Sequence, residues 1–379
     1  MTKTIKFIIL LISFQLFAQN DANNKIDLDY SIKYFYQEDI NLLKSIEALQ
    51  NLYNDDYKNY RLYWYEEDFK ILNDPYKDLY WILNSGYKTY KPTIISIAKK
   101  NDLNYTLKIA IIGNPEGFNS LYTIYDLGVY IIEGKPKFYN LLIENLNDYN
   151  VTEFKGVDYY HKQKFSKKDA KKQIEFNEYL SRVLKKEILN FKFIVSKSYE
   201  EMLKMQSYNY KNDMYINGSL GGVAYVSDKI IFSANGSFFY PHEVVHLYTH
   251  KYYSGIHNFL DEGIATYFGG SKELSFFELK NILKQKINSE DMNLYETSFD
   301  ENLKYKPLGN GTAIYYAIGA VFFEILNKKF GIDSIEKFRF LDMGNKTDLN
   351  NKIQELFNDK EITFDSLIKK ELNEYDFKK

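Results

Sequence analysis

The chain of 379 residues contains no cysteine. Disulfides therefore cannot stabilise it, and a protein of this size must rely on a buried core instead. An anchor made from an acylated N-terminal cysteine is excluded for the same reason. Arginine is also scarce, since only three of the 49 basic residues are arginine. We attribute this bias, together with the abundance of Tyr, Asn and Ile, to base composition and not to function.

Several functional signatures are missing as well. The formal net charge of −2 provides no electrostatic footprint for nucleic acid, so no nucleic-acid partner is predicted. The sequence has neither a Gly-x-Ser-x-Gly nucleophile elbow nor a phosphate-binding loop. These absences argue against a serine hydrolase of that type and against a nucleotide-dependent enzyme.

The apolar segment at the N-terminus is short. Residues 7–17 are rich in apolar side chains, follow Lys3 and Lys6, and are followed by Ala18. A permanent transmembrane helix needs about twenty apolar residues, whereas a basic start, a short apolar core and a small residue are typical of a secretory signal peptide. We therefore predict that residues 1–18 are a signal peptide, that cleavage leaves Gln19 at the N-terminus, and that the protein is exported to the periplasm or the medium. The alternative is a retained anchor.

The first half of the chain is predicted to be an α+β domain. A mature length of about 360 residues is enough for two domains. Apolar residues recur at helical spacing over 40–52, and a second helix is predicted over 76–83. Four β-rich segments, separated by Gly, Pro and Asn turns, then follow at 93–97, 105–112, 121–132 and 138–143. Consecutive strands joined by tight turns indicate an antiparallel sheet, so we predict an α+β accessory domain over residues 19–150, whose partner cannot be predicted.

Residues 151–379 are predicted to combine a small sheet with a mainly helical C-terminal part. Strands are expected at 157–160 and 191–195, and a hairpin is expected from 221–226 and 229–233. Helices are predicted over 166–186, 199–205, 274–287, 313–330, 334–341 and 349–357. The whole chain is therefore predicted to be α+β.

The strongest motif is His242-Glu243-Val244-Val245-His246, an HExxH sequence. Two histidines four residues apart lie on one face of a helix, where both rings can bind one Zn²⁺ at about 2.0–2.1 Å. Glu243 then lies where a carboxylate can act on water without being a ligand. Pro241 suits the first helical turn, where its missing N–H is not needed. The motif predicts one zinc ion with His242 and His246 as ligands and Glu243 as the general base.

A third ligand is expected from the segment that follows. Glu262 comes sixteen positions after His246, which is enough for one helix to end, a turn, and a second helix to begin. Gly255 is a suitable stop for the first helix. Three protein ligands leave one position open, as a catalytic zinc requires. His250 continues the histidine face, but one ion cannot be equidistant from three turns of a helix, so we predict a surface or supporting role for it. Should Glu262 not be the ligand, His250 and His257 are the alternatives.

The two segments together resemble the gluzincin metallopeptidases, the superfamily of thermolysin and aminopeptidase N. The resemblance rests on HEVVH and on Asp261-Glu262-Gly263-Ile264-Ala265, and it implies that Glu262 is the third zinc ligand and that residues 151–379 form a gluzincin-like peptidase domain. The connection between the two motifs is shorter than in thermolysin-like and aminopeptidase N-like members. Thr266 stands where thermolysin-like enzymes carry an aspartate that supports a zinc histidine, so the sequence departs from the family pattern at this position.

A further segment resembles aminopeptidase N. In Tyr315-Tyr316-Ala317-Ile318-Gly319-Ala320, Tyr316 takes the place of the tyrosine that stabilises the oxyanion in that family. The family also carries a Gly-x-Met-Glu-Asn strand before the zinc helix, whose glutamate binds the free amine of the substrate. The matching stretch, residues 221–225, has no carboxylate. The resemblance therefore implies cleavage within peptide chains.

The sequence thus predicts an exported zinc peptidase acting on peptide or protein substrates, expected to be an endopeptidase. Three alternatives stay open: an aminopeptidase, a metal-dependent hydrolase of other substrates, and a non-catalytic envelope or binding protein built on a peptidase scaffold. The intact Glu243 favours an enzyme, because a binding protein has no use for a base at that position.

Overall fold

This computed structural model describes residues 26–55, 57–84, 90–114, 117, 120–214 and 221–375. The predicted signal peptide lies outside these residues. Within the described part, no helix combines the length and the apolar character that crossing a membrane requires. The fold is α+β, as predicted, with two large sheets and helices of up to 18 residues.

The chain divides into two compact units. The first runs to Asn147 and also includes Leu203–Met214, and the second comprises Asp148–Met202 and the chain from Tyr215 onward. The predicted boundary at residue 150 lies close to the break after Asn147. The sequence did not predict that residues 203–214 belong to the first unit. A four-residue strand carries too little periodicity to indicate a partner that lies far away in the sequence.

The first unit contains a six-stranded sheet. Its strands β2 to β5 form the antiparallel meander predicted for this region, β1 pairs parallel with β2, and β9 pairs antiparallel with β4. The predicted strand over 138–143 is wrong at its end, because the Asn140 side chain accepts the Leu142 N–H and a short helix begins there. The strand bounds are β1 Asp27–Leu28, β2 Tyr90–Asn101, β3 Asn104–Gly113, β4 Ser120–Ile132, β5 Lys135–Asn140 and β9 Tyr208–Lys211.

Helices of the first unit pack their apolar faces on this sheet, and the predicted helices over 40–52 and 76–83 are confirmed. The fully buried Trp64 lies in the same core, and its indole N–H donates to the buried carboxylate of Asp68 at 2.7 Å. Asp68 also accepts the Asn140 N–H at 2.6 Å. The helices are Tyr30–Phe35, Ile40–Asn54, Lys77–Asn84 and Leu142–Leu146, with 3₁₀ segments Tyr57–Leu62 and Glu66–Lys70.

The second unit contains a five-stranded sheet in the order β10-β11-β8-β7-β6. The three central strands are parallel, and the two edge strands β10 and β6 run antiparallel to their neighbours. The predicted strands and the predicted hairpin of β10 and β11 are confirmed, whereas β6 was not predicted. The bounds are β6 Asn150–Phe154, β7 Val157–His161, β8 Phe191–Val195, β10 Gly222–Tyr225 and β11 Ile230–Ser233.

Helices dominate the chain after β11. The predicted helices after residue 270 are confirmed, although that over 334–341 is shorter than predicted, and Leu294–Phe299 and Phe364–Glu374 were not predicted. Beyond residue 148, the helices are Lys167–Leu184, Tyr199–Met205, Pro241–Tyr252, Asn258–Gly269, Phe276–Ser289, Leu294–Phe299, Ile314–Phe330, Ser334–Phe338, Lys346–Phe357 and Phe364–Glu374. A short ladder pairs β12, Pro307–Leu308, with β13, Thr312–Ala313.

Three of these helices position the candidate site: the motif helix (Pro241–Tyr252), the ligand helix (Asn258–Gly269) and the tyrosine helix (Ile314–Phe330). The ligand and tyrosine helices touch backbone to backbone, because a Cβ on Gly263 would lie 2.4 Å from the carbonyl carbon of Gly319. The end of the ligand helix meets the start of the motif helix equally closely, since a Cβ on Gly269 would lie 2.5 Å from the His242 nitrogen. Glycine at these positions allows the close crossings.

Candidate metal centre and active site

The motif helix presents both histidines of the HExxH sequence to one side. Pro241 begins the helix, and residues 242–249 are all buried. His242 and His246 are only 7% and 8% exposed, although imidazoles are polar. Buried polar rings need partners, so the contacts of each nitrogen decide what these residues can do.

Five residues, 253–257, connect the motif helix to the ligand helix, and Gly255 adopts a positive φ in this connection. His257 begins the ligand helix by accepting the Phe259 N–H on its Nδ1 at 3.2 Å. His257 is not part of the group His242, His246 and Glu262, whose ligand atoms lie close enough together to hold a metal ion.

The ligand helix brings Glu262 to both histidines. Its Oε2 lies 3.2 Å from Nε2 of His242 and 3.5 Å from Nε2 of His246. In a tetrahedral site with zinc–ligand distances of about 2.0–2.1 Å, ligand atoms are about 3.3–3.4 Å apart. The two Glu262 separations bracket that value, and the ligand atoms of all three residues lie within 4.8 Å of one another, so the group could hold a zinc ion.

The remaining nitrogen of each histidine is held from the side opposite Glu262. Nδ1 of His242 forms a hydrogen bond with the Gly270 carbonyl at 2.7 Å, and Nδ1 of His246 forms one with the Asp261 carboxylate at 2.9 Å. A partner on Nδ1 fixes the ring and leaves Nε2 free to bind a metal.

Asp261 belongs to the candidate site, and the sequence did not indicate it. The resemblance would place a supporting carboxylate at position 266, but it is Asp261, just before Glu262, whose carboxylate contacts His246. The buried hydroxyl of Thr266 has no hydrogen-bond partner among the described residues. Adjacent helical residues point about 100° apart, which allows Glu262 and Asp261 to reach different sides of His246.

The charges at the centre favour a bound cation. Burial acts to raise the pKa of Glu262, but His246 and His242 outweigh it and lower that pKa to about 2, so Glu262 is an anion at neutral pH. Burial acts to lower the pKa of His246, but Asp261 and Glu262 outweigh it and raise the pKa well above its usual range. The same two carboxylates would attract a metal ion, which competes with the proton for Nε2.

Glu243 lies beside this group and is 6% exposed. Burial raises the pKa of its carboxyl, and the neighbouring imidazoles His246 and His242 reduce that rise. A carboxylate with a raised pKa is a stronger base than a solvated one. The position and the environment of Glu243 therefore suit proton transfer.

The tyrosine helix places Tyr316, and not Tyr315, against the histidines. The Tyr316 ring stacks on that of His242 with centroids 5.8 Å apart and an angle of 11° between the planes. Burial, followed by the charge of Glu262, raises the pKa of Tyr316 well above its usual value, so its hydroxyl stays a hydrogen-bond donor. The hydroxyl of Tyr315 accepts a hydrogen bond from the Asn258 amide at 3.4 Å, and the Tyr315 ring lies edge-on to that of Tyr316 with centroids 4.7 Å apart.

The edge strand β10 precedes the motif helix in the chain and packs against it. The Gly221 carbonyl accepts the Ala234 N–H from the β11 side. The antiparallel alternation therefore turns the N–H and C=O of Gly222 and Ala224 toward the free edge, with which no other described strand pairs. The Tyr240 ring covers Gly222, where a Cβ would lie 2.7 Å from the ring. Of the two residues with outward groups, Ala224 is thus the one that the Tyr240 ring does not cover.

Comparison with known proteins adds no identity: no family model, curated protein or solved structure matches this chain.

Proposed function

We propose that the protein is an exported zinc peptidase in which His242, His246 and Glu262 hold the metal. The proposal is supported above all by the convergence of the two Nε2 atoms on Glu262 Oε2 at 3.2 and 3.5 Å. Bound zinc would supply a Lewis acid for the scissile carbonyl and lower the pKa of a water molecule.

The other residues of the site take defined roles in hydrolysis. Glu243 accepts a proton from the water that attacks the carbonyl carbon, and it then gives that proton to the nitrogen of the leaving amine. The Tyr316 hydroxyl donates a hydrogen bond to the carbonyl oxygen as negative charge develops there. The Gly270 carbonyl and the Asp261 carboxylate hold the two imidazoles in place.

Metal analysis tests the ligand set. The purified full chain should contain about one zinc ion per molecule, and His246→Ala and Glu262→Ala should each lose most of it. Glu290→Ala is the matched control, because this carboxylate is exposed and lies in the same unit. Full zinc retention in Glu262→Ala would show that the third ligand is another residue.

We further propose that the substrate is cleaved within its chain. An extended peptide can pair with the free edge of β10 through Ala224, which binds main chain without selecting side chains. Strand β10 carries no carboxylate to bind a free amine. Glu273 lies outside this strand, and its negative charge contributes to the raised pKa of Tyr240. It is therefore the carboxylate to test as an amine-binding group.

Paired peptides distinguish the two kinds of peptidase. A peptide and its N-terminally acetylated twin should be cleaved at similar rates, in the wild type and in Glu273→Gln. If acetylation abolishes cleavage and free amino acids are the only products, the protein is an aminopeptidase. Loss of activity in Glu273→Gln would then identify the group that binds the amine.

A further inference from the structure

Three histidines of the motif helix follow one another at four-residue intervals, and Asp261 joins the last two. Its Oδ2 atom lies 2.9 Å from His246 Nδ1 and 2.8 Å from His250 Nε2. Its Oδ1 atom accepts a hydrogen bond from the Thr249 hydroxyl. One buried carboxylate thus receives three hydrogen bonds from a single helix.

The chemistry of the partners indicates the direction of these bonds. The Thr249 hydroxyl donates to Oδ1 of Asp261, and Oδ2 of the same carboxylate accepts an N–H from each of the two imidazoles. The His246 ring therefore presents its Nε2 to Glu262 and His242.

The two proposed zinc histidines differ in how they are supported. The partner of His242 is a backbone carbonyl, which the turn at Gly270 fixes in position. The partner of His246 is a side-chain carboxylate, which can rotate unless other groups hold it. Thr249 and His250 are the groups that hold it.

We propose that His250 is a positioning residue for the metal centre: by donating to Asp261, it orients that carboxylate and thereby the His246 ring. The proposal rests on the proposed metal site. The His250 side chain is 48% exposed, so its removal leaves no cavity in the core and should not disturb the fold. Its effect on the site is therefore separable from an effect on stability.

Zinc affinity of the full-length chain is the first measurement, by competition with a chromophoric chelator. Loss of such supporting partners lowers metal affinity about 10- to 100-fold. We expect a loss in that range for His250→Ala and for Asp261→Asn. His250→Gln should recover most of the affinity, because the Gln amide nitrogen is the same number of bonds from the backbone as Nε2 and also donates. In the Asp261→Asn background, the additional change His250→Ala should lower the zinc affinity only slightly further.

Histidine-selective ¹⁵N NMR of the metal-free chain is the second measurement, and it does not depend on zinc binding. The His246 Nδ1–H should be visible in slow exchange, broaden or disappear in His250→Ala, and return in His250→Gln. An unchanged His246 signal in His250→Ala overturns the proposal, as does equal loss of affinity in His250→Ala and His250→Gln. If the NMR pattern holds but the wild type binds no zinc, the proposed function fails and the positioning role stands.

Discussion

At the scale of single residues, Tyr316 and Tyr315 face different partners although they are neighbours in sequence. Since the Tyr316 ring lies on His242, we expect Tyr316→Phe to lower kcat on the order of ten- to a thousandfold while zinc content stays unchanged. Tyr315→Phe loses hydroxyl contacts with Asn258 and Tyr316, and we expect it to lower kcat less than Tyr316→Phe does. Steady-state kinetics on one peptide substrate decides, and a damaging Tyr315→Phe with a harmless Tyr316→Phe would contradict the assignment.

Asp68 makes the stability of the first unit depend on pH. Burial raises its pKa to about 7, although the hydrogen bonds from Asn140 and Trp64 act in the opposite direction. Because the folded-state pKa is higher than that of the unfolded chain, its stabilising effect is complete below about pH 4 and is lost as pH rises through about 7. As the pH rises from about 4 to about 7, the free energy of unfolding of the wild type should therefore fall relative to that of Asp68→Asn, by up to about 1.4 kcal/mol per pH unit.

Denaturant titrations followed by tryptophan fluorescence measure this difference. Both tryptophans, Trp64 and Trp81, lie in the first unit, so the signal reports on that unit alone. A constant difference between wild type and Asp68→Asn from pH 4 to 8 would contradict the prediction.

Residues fixed by local spacing could be predicted from the sequence, and those fixed by helix crossing could not. Helical spacing alone puts His242 and His246 on one face of a helix. Asp261 and Gly270 act across the contact between two helices, which depends on the close approach at Gly269. Because no local pattern encodes that approach, the partners of the imidazoles could be identified only in three dimensions.

At the scale of elements, the crossing at Gly263 and Gly319 sets the distance between the ligand helix and the tyrosine helix. A methyl group on Gly263 would collide with the backbone of Gly319, which cannot rotate away as a side chain could. We expect Gly263→Ala to destabilise the protein by about 1–3 kcal/mol or more and to reduce activity, because Glu262 and Tyr316 shift relative to each other.

Thermal unfolding and zinc content measure this effect. Gly221→Ala is the matched control, since a Cβ at Gly221 has no neighbour within 4 Å among the residues that the structure describes. Equal stability of the two variants would show that the crossing tolerates a side chain and would contradict the packing argument.

Most long elements could be predicted, because amphipathic periodicity is a local property. Short elements stabilised by capping or by distant pairing could not. The helix Leu294–Phe299 has only six residues, and Asn293 caps its N-terminus by accepting the Glu296 N–H on its side chain. The strand β9 exists through its pairing with β4, far away in the sequence.

At the scale of the whole molecule, the proposed export has a direct test. Cleavage after Ala18 should give a secreted species that begins at Gln19, because the basic start, short apolar core and small residue match a signal peptide. Intact-mass measurement of protein from the periplasm or the medium provides the answer. A membrane-associated species that keeps Met1 would support the retained anchor instead.

The central claim is that the molecule hydrolyses peptide bonds with Glu243 as the base. The most direct test compares the initial rates at which the wild type and Glu243→Gln hydrolyse a mixed peptide library, at equal zinc content. The amide keeps the shape of the side chain but cannot accept the proton. The rate should therefore fall on the order of 10²- to 10⁴-fold or more, while the fold and the bound metal are retained. Equal rates in the two proteins would contradict the mechanism, and a zinc-loaded wild type that cleaves no peptide would favour a binding protein on a peptidase-like scaffold.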